Sequence, residues 1–218
     1  EGTGLYDSWN TMFQQVDTEL VCNYNSDDKL HPDFLIKTLN NFNKYNEMDI
    51  CIFPSYSTEN FNDNFNDNKK LNTIYTKLQF PINNNFEETY LNHKINGVKL
   101  NLEWKTYDKS IKLSIYNVFR FKNDIPVLCN IFSCCPIFKI KLLNKFGYIN
   151  EQDYGPSADC EFWMRLIKNN VNVRLFNKPL SIYYINPNSY SRMNIKKAVY
   201  DMKIINNYNP YKELDTIY

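Results

Sequence analysis

The chain has 218 residues, of which 43% are hydrophobic, 16% aromatic and 22% charged, and its formal net charge is +1. This length and composition predict a single globular domain over residues 1–218 with a sizeable core. Because the charged residues are interspersed and form no basic stripe, the sequence excludes an ordinary nucleic-acid-binding surface. We therefore expect no nucleic-acid partner.

The six cysteines form no Cys-x-x-Cys pair and no regular framework. The neighbours Cys134 and Cys135 are flanked by apolar residues, and we interpret them as reduced core thiols. The sequence shows no signal peptide, no apolar run long enough to span a bilayer and no Asn-x-Ser/Thr sequon. We therefore expect a cytoplasmic protein with no membrane span.

The first fifty residues predict alternating helices and strands. Apolar residues at helical spacing indicate an amphipathic helix near residues 4–16: Leu5, Trp9, Met12, Phe13 and Val16. Residues 20–24 predict a buried strand, and Pro32 is typical of the first turn of the next helix. The apolar face expected for that helix consists of Phe34, Leu35, Leu39 and Phe42. Apolar alternation over residues 48–53 predicts a second strand.

The middle of the chain is less regular. Residues 54–72 are rich in Asn with isolated phenylalanines, which predicts a long loop or flap. A calcium loop is disfavoured there because no glycine stands at the turn position. Residues 73–130 are interpreted as an acceptor-side insertion, with a strand at residues 111–115. Its aromatic residues are assigned to core packing, and an acceptor-binding wall is the alternative.

The last third predicts a strand that enters a helix over residues 136–146, closed by Gly147. A further helix is predicted for residues 157–169, with Glu161 and Arg165 paired across one turn. Its buried face should consist of Phe162, Trp163, Leu166 and Ile167. After it, strands are expected at residues 171–175 and 180–185. A terminal helix is expected beyond residue 191. This alternation predicts an α/β fold.

Two adjacent acids follow the first predicted strand, in the segment Asn25–Asp28. In open α/β sheets, ligands bind outside the carboxyl ends of the strands. Carboxylates at that position suit a hard divalent cation, which in turn commonly holds phosphate oxygens. The alternative is a turn that caps the next helix, and the residues alone leave both interpretations open.

A second group of acids, Asp159 and Glu161, lies in the first turn of a predicted helix. From the residues alone we favour complementation of the helix dipole. The alternative is a general base that the tight segment 155–157 aims into a cleft. His31 follows the first acid pair and could approach the same cleft, although a cap at a helix start is the more usual role. The sequence contains no P-loop, no Gly-x-Gly-x-x-Gly and no Gly-x-Ser-x-Gly motif.

Separate segments of the sequence, in this order, resemble the inverting family 2 glycosyltransferases of the GT-A fold. Residues 4–10 (Gly-Leu-Tyr-Asp-Ser-Trp-Asn) are similar to a helix start of that family, and residues 25–33 are similar to its Asp-Ser-Asp-Asp segment with a following proline. Residues 146–151 and 158–166 are similar to its Gly-Phe-x-Glu and Glu-Asp-x-Glu-Phe-Trp-x-Arg patterns. Residues 183–189 resemble its Tyr-Arg-x-His-x-x-Ser segment.

The resemblance implies roles for the acids. Asp27 matches the last acid of the DxD motif, which binds Mn²⁺ or Mg²⁺ on the donor diphosphate. Asn25, which replaces the first acid, and Asp28 are implied to contact the donor. Asp159 matches the base that deprotonates the acceptor hydroxyl. Two further residues of the same helix are implied on the acceptor side: Glu161 and Trp163.

The resemblance also implies the architecture, a Rossmann-like mixed sheet flanked by helices, and the partners. These are a nucleotide-sugar donor and a glycan, lipid or protein acceptor. The family's N-terminal nucleotide-binding part is expected to lie outside this sequence. The chain departs from the family pattern at Ala158, which replaces a Glu, and at Asn186, where some relatives have a His. These departures keep a second hypothesis open, a non-catalytic carbohydrate- or protein-binding module. A metal-dependent phosphohydrolase has only the acid pair in its favour.

Overall fold

We describe a computed structural model of the chain. It describes residues 4–65, 72–73, 110–113, 115, 119–122, 125–128, 132, 134–176, 178–193, 196–210 and 212. The acceptor-side insertion predicted for residues 73–130 therefore lies largely outside the described residues.

Helices and strands alternate along the described residues. The helices are α1 (Leu5–Phe13), α2 (Phe34–Lys44), α3 (Lys141–Phe146), α4 (Glu151–Tyr154), α5 (Ala158–Lys168), α6 (Tyr190–Met193) and α7 (Lys197–Tyr208). The first strands are β1 (Leu20–Cys22), β2 (Lys29–Leu30), β3 (Ile50–Ile52), β4 (Ser55–Thr58), β5 (Asn72–Thr73) and β6 (Ser110–Lys112). The later strands are β7 (Phe119–Lys122), β8 (Ile125–Leu128), β9 (Ile137–Lys139), β10 (Val173–Phe176) and β11 (Ser181–Tyr184).

The described strands form two mixed sheets and a hairpin. The first sheet has the order β1-β9-β3-β10-β6, in which β3 and β10 are parallel and the other neighbours are antiparallel. The second has the order β2-β11-β4-β5, in which β11 and β4 are parallel. Strands β7 and β8 form the hairpin. The mixed sheets with flanking helices confirm the α/β class and the predicted mixed sheet.

The first sheet is buried on both faces. In β3 the side chains of Ile50 and Ile52 pack into the cluster that contains α5, whereas Cys51 points into a second cluster with Phe34 of α2. Alternate side chains of a strand point to opposite faces, so a strand covered on both sides is apolar throughout. All three residues of β3 are buried, and this explains why the strand was visible in the sequence.

The predicted apolar faces of α1 and α2 need correction. In α2 the buried residues are Phe34 and Thr38, whereas Leu35 and Leu39 are exposed. Burial of Thr38 is possible because its hydroxyl donates to the backbone oxygen of Phe34 at 2.8 Å, which satisfies the polar group. In α1 the buried residues are Tyr6 and Phe13, whereas Leu5 and Met12 are exposed. The helix ends at Phe13, so Val16, which is also exposed, lies beyond it.

The start of the predicted Asn-rich loop also needs correction. Residues 55–58 form β4 because they pair with β11 and so satisfy their backbone groups inside a sheet. The following turn is fixed by buried Asp63, which accepts hydrogen bonds from Thr58 and Asn60. Pro32 lies one residue before the N-cap of α2, and not in its first turn.

The elements of the last third agree closely with the prediction. Strand β9 leads into α3, and Gly147 ends that helix with a φ of +85°. All four residues predicted for the buried face of α5 are buried: Phe162, Trp163, Leu166 and Ile167. No helix among the described residues combines the length and the apolar character needed to cross a membrane.

A matched pair of substitutions tests the helix faces. Leu166 of α5 is fully buried, and Leu35 of α2 is 66% exposed. We expect Leu166→Ala to lower the free energy of unfolding by about 2–5 kcal/mol, because it removes buried methyl groups and leaves a cavity. Leu35→Ala should change it by less than about 0.5 kcal/mol. Urea unfolding followed by circular dichroism measures both, and equal losses would contradict the assignment of the α2 face.

Candidate functional site

The acid turn, residues 25–28, follows strand β1 at the carboxyl end of that strand. The backbone N–H of Asp28 donates to the backbone oxygen of Asn25 at 3.1 Å, which closes the turn. The hydroxyl of Tyr24 donates to the backbone oxygen of Asp28 at 2.8 Å. The two acids are adjacent, yet their side chains have different surroundings: Asp28 is buried and Asp27 is half-buried.

Asp28 is 3% exposed and anchors the turn to β11. Its carboxylate accepts the side-chain N–H of Asn25 at 3.1 Å and the backbone N–H of Tyr184 at 3.2 Å. Burial raises the pKa of Asp28 to about 6, while these hydrogen bonds oppose the rise. Both Asn25 and Asp28 therefore have partners inside the protein, and their predicted contacts with a donor stay predictions.

Asp27 is the acid of the turn whose carboxylate has an oxygen free to bind a ligand. Its Oδ2 accepts the side-chain N–H of Asn186 at 3.3 Å, and among the described residues Oδ1 has no hydrogen-bond partner. A half-buried carboxylate of this kind fits a hard cation that takes most of its other ligands from substrate phosphates and water. Asn186, the residue that departs from the family pattern, thus orients the acid predicted to bind metal.

Asp159 lies at the start of α5, and it is half-buried. Its Oδ1 accepts the backbone N–H of Cys160 at 2.7 Å. Burial raises the pKa of Asp159, while the charge of Lys197 and the neighbouring hydroxyl of Tyr6, which donates to the backbone oxygen of Pro156 at 3.3 Å, oppose the rise. The result is a carboxylate more basic than usual, which suits a general base.

Tyr6 is the neighbour of Asp159 that the sequence did not single out, and a capped helix start holds it in place. The carboxylate of Glu151 accepts the backbone N–H groups of Tyr6 and Asp7 at 2.8 and 3.1 Å. These are free N–H groups of the first turn of α1, where a negative charge is favourable. The side chain of Asn10 also exchanges two hydrogen bonds with the backbone of Ile149, at 2.8 and 3.1 Å.

The motif of residues 4–10 and the motif of residues 146–151 therefore meet in space, although about 140 residues separate them. The position of Gly4 shows how closely they approach. A Cβ built there would lie 2.2 Å from Oε2 of Glu151. Only glycine leaves room for the capping carboxylate, and this supplies a physical reason for the glycine of the first motif.

A cationic group on α7 faces the same end of α5. The ammonium of Lys197 donates to the carboxylate of Asp201 at 3.0 Å and to the hydroxyl of Ser157 at 3.1 Å. The hydroxyl of Ser157 donates to Asp201 at 2.6 Å. Lys197 lowers the pKa of Asp159 through its charge. No motif in the sequence indicated this contact, because it depends on how α7 packs.

Glu161 and Trp163, the residues predicted on the acceptor side, have protein contacts. The carboxylate of Glu161 is 3% exposed and pairs with both Nε and Nη2 of Arg165 at 3.0 Å. It also accepts the hydroxyl of Tyr208 at 2.7 Å. The indole of Trp163 is 4% exposed and stacks on Phe132, with 4.7 Å between ring centroids. An acceptor contact for either residue stays a prediction.

The structure brings Asn25, Asp27 and Asp28 together in one turn that is bound to β11. Asp159 shares no hydrogen-bond partner with that turn among the described residues: its carboxylate accepts the backbone N–H of Cys160, and the hydroxyl of Tyr6 lies nearby. His31 has the more usual of its two interpretations: its ring Nδ1 accepts the backbone N–H of Asp33 at 3.1 Å at the start of α2. Its ring also meets Phe65 edge-on, with 4.9 Å between centroids.

No known family model and no curated protein matches this sequence. The fold has a solved counterpart. The crystal structure of S. aureus TarS, residues 1–349 in complex with UDP, matches with a TM-score of 0.51 at 13% identity. The match covers 95% of this chain and 51% of that one, so the chain spans about half the length of the TarS structure.

At this identity the match shows the fold alone, and the fold is glycosyltransferase-like. It confirms the predicted fold class. Membership of family 2, the DxD role of Asp27 and the cation are predictions that this likeness does not test.

A double-mutant cycle tests the cap of α1. In Gly4→Ala the new methyl group displaces the Glu151 carboxylate, and two charge-assisted hydrogen bonds are lost. We expect the free energy of unfolding to fall by about 1–3 kcal/mol. In a Glu151→Ala background the same change should cost less than about 0.5 kcal/mol, since nothing remains to displace. Additive losses in urea unfolding would contradict the contact.

Proposed function

We propose that the chain belongs to an inverting glycosyltransferase that moves a sugar from a nucleotide-sugar donor to an acceptor hydroxyl with the help of a divalent cation. The observation that carries the proposal is the acid turn: half-buried Asp27 follows a strand at its carboxyl end, in a glycosyltransferase-like fold. The likeness to a UDP-bound structure supports a nucleotide-sugar donor, and the resemblance to family 2 supports inversion.

Asp27 would hold the cation, Mn²⁺ or Mg²⁺, on the donor diphosphate. When bound, the cation supplies Lewis-acid stabilisation of the leaving nucleoside diphosphate. The amide of Asn186 keeps the Asp27 carboxylate in one orientation. The hydrogen bonds of Asp28 and Asn25 fix the backbone of the turn. The carboxylate of Asp27 is then the one that the turn offers to the cation.

Asp159 would act as the base. Its carboxylate takes the proton of the acceptor hydroxyl, the hydroxyl oxygen forms a bond to the anomeric carbon, and the bond from that carbon to the diphosphate breaks on the opposite face. Burial makes Asp159 more basic than a solvent-exposed carboxylate, while the hydroxyl of Tyr6 and the charge of Lys197 lower its pKa and so favour the ionised form. Glu161 and Trp163 support this geometry by fixing α5 in the core, whatever their contact with a glycan, lipid or protein acceptor.

A second candidate function is a non-catalytic carbohydrate- or protein-binding module with the same fold. The observation in its favour is the side chain of Asn25, which carries no charge and donates its N–H to Asp28. It therefore supplies no second anionic ligand for a cation. The two functions differ in whether a nucleotide binds in a cation-dependent manner.

Nucleotide binding is the first test. We expect one of UDP, GDP, TDP and CMP to raise the melting temperature of the protein by about 5–10 °C at about 100 times its dissociation constant. The increase should require Mn²⁺ and should be lost in Asp27→Asn, with Asp7→Asn on the surface of α1 as the control. An increase that survives Asp27→Asn would contradict the metal assignment. No increase with any nucleotide would show that this chain alone holds no donor.

The base is tested by transfer. Asp159→Asn should lower kcat by about 100- to 10,000-fold, the usual contribution of a general base, because the amide cannot accept the proton. The Mn²⁺-dependent nucleotide shift should remain, since Asp159 has no part in binding the diphosphate. Transfer measured by release of nucleoside diphosphate at an unchanged rate would remove Asp159 from the mechanism.

The hydroxyl of Tyr6 predicts a pH effect on the same base. Because this hydroxyl lowers the pKa of Asp159, Tyr6→Phe should raise that pKa further. A base must be unprotonated to act, and the acidic limb of the kcat profile should therefore move to higher pH in the variant. A lower rate without movement of the limb would show that Tyr6 has only a structural role.

A further inference from the structure

Two cysteine thiols lie close to the buried carboxylate of the acid turn. The carboxylate of Asp28 and the thiols of Cys134 and Cys135 are mutually close, with one potential ligand atom from each residue inside 4.8 Å of the other two. Among the described residues, this is the one group of three or more His, Cys, Asp or Glu side chains whose potential ligand atoms lie this close together. Asp28 and Cys135 are buried, and Cys134 is half-buried.

The pairing of β1 with β9 explains why these residues meet. Cys22, at the end of β1, is opposite Ile137, at the start of β9. The two cysteines immediately before β9 therefore run past the turn that immediately follows β1. The side-chain amide of Asn23 donates to the backbone oxygen of Cys134 at 3.4 Å, and the thiol of Cys134 lies 3.4 Å from the hydroxyl of Ser55. These two contacts hold Cys134 in place.

We propose that Asp28, Cys134 and Cys135 form a zinc site, separate from the cation on Asp27. Two thiolates and one carboxylate select a borderline-soft ion such as Zn²⁺ over Mn²⁺ or Mg²⁺. Zinc–sulfur bonds of about 2.3 Å in a tetrahedron place two sulfurs about 3.8 Å apart. Because no pair of these ligand atoms is more than 4.8 Å apart, the three side chains need to contract by at most about 1 Å to coordinate the ion.

Binding of Zn²⁺ releases the two thiol protons to solvent and leaves two thiolates and one carboxylate around the ion. The second oxygen of Asp28 remains available to the backbone N–H of Tyr184. These three side chains fill three positions of the tetrahedron, and the thiol of Cys22, a neighbour of Cys135, is the candidate protein ligand for the fourth. Such a site would fasten the start of β9 to the turn that presents Asp27, and its role is structural.

Cobalt substitution tests the site directly in the chain as it exists, reduced and freed of metal with a chelator. One equivalent of Co²⁺ should give a sulfur-to-cobalt charge-transfer band and the strong visible bands of a tetrahedral ion. One equivalent of Zn²⁺ should abolish them, and excess Mn²⁺ should leave them unchanged. Absence of the charge-transfer band, or its removal by Mn²⁺, would overturn the proposal.

Matched variants assign the ligands. Cys134→Ala and Cys135→Ala should each weaken Zn²⁺ binding at least about tenfold in competition with a chromophoric chelator. Cys51→Ala, which removes a buried thiol of β3 outside the cluster, should bind as tightly as the natural chain. Equal affinity in all three variants would overturn the assignment.

A measurement on the natural chain covers the case in which a variant does not fold. Alkylation followed by peptide mass mapping should show that Zn²⁺ slows the modification of half-buried Cys134, whereas Mn²⁺ does not. A Cys134 that reacts at the same rate with and without Zn²⁺ would likewise overturn the proposal.

Discussion

The guanidinium of Arg165 is the contact on which the arrangement around Asp159 depends. It pairs with Glu161 one turn earlier on α5 and donates to the backbone oxygens of Phe146 and Tyr148. A planar fork with several donors can satisfy a carboxylate and two carbonyls together, which a lysine cannot do. The loop after α3 is thereby fixed to α5. The loop leads into α4, whose first residue, Glu151, caps α1, and α1 supplies the hydroxyl of Tyr6 that lowers the pKa of Asp159.

Much of the fold could be predicted because many of its elements are regular and buried. Strand β3 is covered on both faces and is apolar throughout, and α5 buries the side chains that its spacing indicated. The Glu161–Arg165 pair was visible because residues four apart share a helix face. The candidate acids were found for a similar reason, since they follow or begin regular elements. Their proposed roles rest on the family resemblance and the fold, and not on periodicity.

The remaining features depend on long-range packing that no local pattern carries. Thr38 is buried in α2 because its hydroxyl bonds to the preceding turn, and Leu35 is left exposed. Strand β4 was taken for loop because its stability comes from pairing with β11, about 126 residues later in the chain. The approach of Cys134 to Asp28 follows from the register of β1 against β9. A composition argument could say only that the thiols lie in a core.

The contacts that define the acid turn join residues at opposite ends of the chain. Asp28 binds the backbone of Tyr184 across 156 residues, and Asp27 binds Asn186 across 159. Loops of this size close late, because the entropy of closure must be overcome before the contacts contribute. During synthesis the turn therefore lacks its contacts with Tyr184 and Asn186 until that segment has left the ribosome. A nascent chain that ends before Tyr184 therefore carries the acids without the contacts that distinguish Asp27 from Asp28.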